Sequence, residues 1–185
     1  MRIGFTTPGM SEADAKTTVE ILDQRLVALI DLSLTLKHVH WNVTGPHFIG
    51  VHEMLDPQVD SVRAMVDVLA ERIATLGGEP NGLPGYVVSS RSWDDYDLGK
   101  ASVAQHLGAL DSVYRGVVED HREAQASLAE SDPISEDIIV GQTGELELFH
   151  WFVRAHLENS DGTLVVDARA GERESAEQSA AALGS

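Results

Sequence analysis

Apolar residues recur at three- and four-residue steps over four long stretches of this chain, and proline and glycine cut the stretches apart. From about residue 14 to 43 the repeat runs through Val19, Leu22, Leu26, Leu29, Ser33, Leu36, His40 and Val43, behind an N-cap-like Ser11 and Asp14. A period near 3.6 residues marks one face of a helix. Thr44-Gly45-Pro46 ends it, because proline cannot continue a helix and disfavours the α conformation in the residue before it. A second helix is predicted from Phe48 to about Leu76 through Ile49, Leu55, Val59, Val62, Val66, Leu69 and Ile73, closing on Gly77-Gly78, with Pro57 inside it as the cause of any kink near Glu53. Helical period resumes from about Leu98 to Ala129 and again from about Ser135 to Glu158, on either side of "SDPISED".

Residues 77–97 carry Gly78, Pro80, Gly82, Pro84 and Gly85 and read as a long crossover with one short helix at "SWDDYD". Short joins between helices one and two and between three and four, with a long middle connection, predict an all-α fold. It is a ferritin-like four-helix bundle whose crossover carries a short helix between the second and third helices. The expected organisation is an N-terminal extension over 1–12, the bundle over 13–160 and a flexible acidic tail over 161–185. Beyond "NSDG" the periodicity gives way to Ala, Ser, Glu and Gly.

At 185 residues such a chain buries roughly 70% of its unfolded surface and needs no metal or disulfide to fold. A metal site here is therefore functional before it is structural. There is no cysteine, so thiolate metal sites, disulfides and thiol nucleophiles are excluded and any metal must be held by nitrogen and oxygen. The start, "MRIGFTTPGMSEADAK", shows no apolar signal segment, and no stretch is long and apolar enough to span a membrane, so the reading is a soluble cytoplasmic protein. Thirty acidic against 13 basic residues give a net charge of −17, which opposes attraction to nucleic acid or anionic membrane. Charge of this kind serves solubility first; it also suits a protein that draws in cations.

The chemistry concentrates between residues 37 and 78. His52 and Asp56 are four residues apart on the second helix, as are Asp67 and Glu71, so each pair projects from one face. The eleven steps from Asp56 to Asp67 make about three turns, which puts the pairs on roughly one side of the helix but about 16 Å apart along it. Metal–ligand bonds are about 2 Å long, so one ion cannot use both pairs of one chain. Two arrangements remain: two half-built sites per chain, or a composite site formed when two copies of the helix meet antiparallel across a two-fold axis, which makes each contact twice. The second is preferred, because His40 continues the inward stripe of Leu26, Leu29, Ser33 and Leu36. Two imidazoles and three carboxylates suit ferrous and ferric iron, and also manganese, cobalt or zinc.

The stretch "KHVHWNVTGPHFIGVHEMLDPQVDSVRAMVDVLAERIATLGG", with "SWDDYD" and "GELELFHWFVRAHLE" after it, resembles the Dps family, mini-ferritins also described as DNA-binding proteins from starved cells, and looks most like actinobacterial members. The likeness spans about residues 5 to 160. It implies a hollow homododecamer that oxidises Fe²⁺ to Fe³⁺ with hydrogen peroxide or oxygen at two-fold dimer interfaces, a ferroxidase, and stores ferric mineral. It implies His40, His52 and Asp56 as ligands from one subunit and Asp67 and Glu71 from its partner, with Trp41 and Trp93 nearby as takers of oxidising equivalents. Asp132, Glu136 and Asp137 fall where the family builds an acidic three-fold pore, and Glu53 falls where mineral would nucleate.

The ends depart from the family pattern. DNA binding is commonly assigned to basic tails, but here Arg169 and Arg173 stand against Asp167, Glu172, Glu174 and Glu177, and the N-terminal segment offers only Arg2 and Lys16. Weak or absent DNA binding is expected, and nucleoid association with it, so an architectural DNA-binding protein is the lesser reading. His47 replaces the more usual Asn and could add a surface metal ligand. A di-iron site inside one bundle needs two Glu-x-x-His motifs, and only Glu147–His150 fits.

Overall fold

A computed structural model describes residues 3–5 and 7–183; Arg2 lies outside them. The elements are α1 (Glu12–Asn42), β1 (Val43–Thr44), α2 (Phe48–Thr75), α3 (Pro84–Ser90), β2 (Ala101–Ser102), α4 (Val103–Leu128), α5 (Pro133–Ala155) and α6 (Glu172–Leu183). The four long helices α1, α2, α4 and α5 follow the four periodic stretches of the sequence. Two compact units share them. One comprises Met1–Ser33, Ser61–Asp94 and Glu119–Gly144; the other comprises Leu34–Asp60, Asp95–Val118 and Glu145–Ser185.

In the first unit the stripe residues Val19, Leu22, Leu26 and Leu29 of α1 and Val62, Leu69 and Ile73 of α2 are buried, with Val87, Leu128 and Ile139. α1 starts where the Ser11 hydroxyl oxygen accepts the Asp14 N–H at 3.1 Å, which satisfies one of the free donors of a helix start. α2 ends in a glycine motif. Gly77, at φ 84°, donates to the Ala74 carbonyl, and Gly78 to that of Ile73 at 2.9 Å, the six-to-one closure that favours a left-handed glycine. Gly77 is needed a second time, since a Cβ there would stand 1.8 Å from the Phe5 carbonyl oxygen. Gly4 donates to the Gly77 carbonyl and so straps the N-terminal segment to this turn.

The second unit buries Leu36, Val39, Leu55, Val59, Leu107, Leu110, Tyr114, Leu146 and Val153. Here β1 and β2 form a parallel two-residue ladder, Val43 with Ala101 and Thr44 with Ser102, which the sequence did not signal.

Two expectations are corrected. The short crossover helix lies at Pro84–Ser90, not at "SWDDYD". Leu83 is extended and Pro84 takes the first helical position, where its missing N–H costs nothing, while Val87 is buried. At 92–97 side chains hold an irregular chain in place instead: Trp93 donates to Asp31 at 2.8 Å. The flexible tail expected over 161–185 is also corrected, over 172–183. Glu172–Leu183 is helical and buries Ser175, Ala176 and Ser179. Its inner face is made of small residues, which meet Gly108 so closely that a Cβ there would fall 2.3 Å from both the Ser175 carbonyl oxygen and the Ser179 hydroxyl. Arg115 anchors the approach by donating to the Ala170 carbonyl at 2.6 Å.

Candidate metal centre

His40 lies in the last turn of α1 and is 7% exposed; His52 lies near the start of α2. The join Val43–His47 brings them face to face, rings stacked with centroids 3.6 Å apart. Each ring is bonded to the other's main chain. His40 Nδ1 is 2.9 Å from the His52 carbonyl oxygen, and His52 Nδ1 is 2.9 Å from the His40 carbonyl oxygen. A carbonyl can only accept, so each Nδ1 carries a proton, and Nε2 is the nitrogen through which either ring would bind a metal.

Asp56, one turn beyond His52, brings Oδ1 to 3.3 Å from His40 Nδ1. Lys37, three residues before His40, holds the same oxygen at 2.6 Å. The hydrogen bond from Lys37 lowers the Asp56 pKa below the ordinary carboxylate value, with the nearby His40 and His52 adding to it. A carboxylate kept ionised beside two imidazoles is a fit start for a divalent cation, although Lys37 already competes for it. Lys37 was missed in the sequence; its position one turn before His40 was the available signal.

His40, His52 and Asp56 are thus brought together within the second unit. Asp67 and Glu71 belong to the first, both exposed on α2. Among the described residues no three His, Asp or Glu side chains are grouped so as to hold a metal ion. Trp41 is 71% exposed, while the Trp93 indole is tied to Asp31, whose other oxygen binds Arg91 at 2.8 Å. Glu53 is exposed. His47 has φ 64°, the left-handed region that Asn tolerates best among residues with a side chain; this explains why Asn suits that place.

The three acidic residues around the start of α5 differ in kind. Glu136 is half-buried and Asp137 exposed, but Asp132 is buried, bound by Arg72 at 2.6 Å and by the Ser135 hydroxyl. Burial raises the Asp132 pKa, but the bonds from Arg72 and Ser135 outweigh it and hold the carboxyl below its ordinary value. Within this chain it is a closed ion pair. His150 of the lone Glu-x-x-His motif is likewise engaged, its Nε2 at 2.8 Å from the buried Asp111. In the tail, Arg173 pairs with Asp97 at 3.0 Å.

A family described as a ferritin-like domain matches residues 19–162. The DNA protection during starvation protein of Mycolicibacterium smegmatis is 50% identical over 174 residues, 94% of this chain and 95% of that one. Among solved structures, Mycobacterium smegmatis Dps superposes with a TM-score of 0.88 at 50% identity, covering 92% of this chain and 97% of that one. DpsA14 from Streptomyces coelicolor gives 0.86 at 56% identity, covering 87% and 96%. With its four long helices and a short crossover helix, the chain has the ferritin-like four-helix fold and belongs to the Dps family, alongside actinobacterial members.

Proposed function

We propose that this protein is a ferroxidase and iron store: it oxidises Fe²⁺ with hydrogen peroxide or oxygen and keeps the ferric product as mineral inside a homododecamer. Iron is the substrate. With peroxide the balance is two Fe²⁺, one H₂O₂ and two H₂O giving two FeO(OH) and four H⁺. Consuming ferrous iron and peroxide together removes the ingredients of hydroxyl radical, which is how such a protein would protect DNA.

The observation that carries this reading is the His40–His52 pair, each Nδ1 locked on a main-chain carbonyl so that Nε2 is the nitrogen left for a cation, with the ionised Asp56 beside it. The site is completed across a two-fold axis by Asp67 and Glu71 of the partner subunit. Imidazoles favour Fe²⁺, and three carboxylates stabilise the extra charge of Fe³⁺. Trp41 and Trp93 take up stray oxidising equivalents, Glu53 seeds mineral, and Glu136 and Asp137 line the cation inlet with Asp132 tied behind them. The cytoplasm is the compartment this chemistry fits. Among the described residues no helix is long and apolar enough to cross a membrane.

The test is anaerobic Fe²⁺ loading followed by stoichiometric peroxide. Replacing His40, His52 and Asp67 together by Ala should slow oxidation by more than about tenfold; rates equal to wild type would remove these residues as ligands.

A further inference from the structure

The His40–His52 pair tolerates little movement, since two hydrogen bonds of 2.9 Å run in opposite directions between the same two segments. A displacement of roughly 0.5–1 Å would break both. Something must hold the end of α1 at the right depth. Directly behind it lies a polar cluster that the iron chemistry does not use. His38, two residues before His40, donates Nε2–H to the Leu98 carbonyl at 2.8 Å. The Tyr96 ring meets His38 edge-on with centroids 5.9 Å apart, and stacks at 6.0 Å and 12° on His106 of α4. Its hydroxyl is 3.0 Å from His106 Nδ1, and His106 is fully buried. Thr44 adds a bond to the Ala101 carbonyl at 3.0 Å.

Hydrogen bonds between poorly solvated groups favour one geometry, because a shift that breaks them leaves donor and acceptor unpaired in a low dielectric. We propose that His38, Tyr96 and His106 are positioning residues: they clamp the end of α1 to the 96–102 segment and to α4, and so set the separation at which His40 and His52 bond each other reciprocally. For its effect on iron the proposal rests on the ferroxidase reading; for its geometry it does not.

The variants are His38→Leu, which removes the donor, His38→Gln, whose amide N–H reaches the same carbonyl, and Tyr96→Phe, which keeps the ring and loses the hydroxyl. The assembled protein is titrated anaerobically with Co²⁺, and its ligand-field bands report the site geometry. His38→Leu and Tyr96→Phe should weaken Co²⁺ binding about tenfold and alter the bands, with the KM for Fe²⁺ raised more than kcat is lowered. His38→Gln should restore both. Unaltered bands and affinity in His38→Leu would overturn the proposal, and Tyr96→Phe decides it if that variant fails to fold. Should the wild type bind no Co²⁺ that His40→Ala abolishes, the ferroxidase reading fails, and crystal structures of the variants decide the clamp: an unmoved His40–His52 stack refutes it, a separated one supports it.

Discussion

Arg72 and Asp132 are both largely out of water, with side-chain exposures of 12% and 5%. Removing one member of such a pair leaves a buried charge without a partner, so Arg72→Ala should cost about 3 kcal/mol in chemical denaturation, and Arg72→Ala/Asp132→Ala distinctly less than the sum of the singles. Acid acts on the same bond. A carboxyl held below its ordinary value contributes stability above that value and loses it as the pH falls further. His106 gives a second pH dependence. Burial pushes its pKa from 6.5 down to about 4, against the pull of the Asn42 carbonyl. The unfolded chain therefore takes the proton first, so the contribution is whole above about pH 6.5 and is lost as the pH falls towards about 4. Denaturation at pH 7 and pH 5 should show wild type losing about 2 kcal/mol more than His106→Gln. At this scale the sequence was partly legible. Spacing put His52 and Asp56 on one face and His40 on an inward stripe, and the family resemblance grouped the three. The bonds that fix the imidazole tautomers were not visible, because their acceptors are main-chain carbonyls, which every residue has. Nor was the burial of Asp132, which depends on Arg72 sixty residues away.

Among the elements, the four long helices were readable because large apolar side chains recur on one face of each, and the α2 stop because two glycines stand together. α3 and α6 were not. α3 is set by Pro84 and one buried valine, too little for a period, and α6 docks through Ser175, Ala176 and Ser179, which carry no hydrophobic signal. The α4–α6 contact is open to a sharp test. Alanine is worth about 1 kcal/mol more than glycine in a helix interior, so Gly108→Ala should help α4 by itself, yet its Cβ would collide with Ser175 and Ser179. Hydrogen exchange should rise at least about tenfold over residues 172–183 while α4 keeps its protection. Unchanged exchange in α6 would show that the helix moves aside without loosening.

At the scale of the whole molecule the net charge of −17 per chain and the engagement of Arg173 with Asp97 leave little to attract phosphate. Gel-shift titration at low salt should give no retarded duplex DNA, and deleting residues 165–185 should not change that. Light scattering should give a mass near twelve chains. Several bulky apolar side chains stand in solvent on the single chain: Leu34, Trp41, Phe48 and Trp151 in one unit, Leu83 and Val88 in the other. If neighbouring copies cover these surfaces, the folded subunit draws part of its stability from its own abundance. Dilution alone would then lower the melting temperature, and a freshly made chain would be at its most aggregation-prone before it met its first partner.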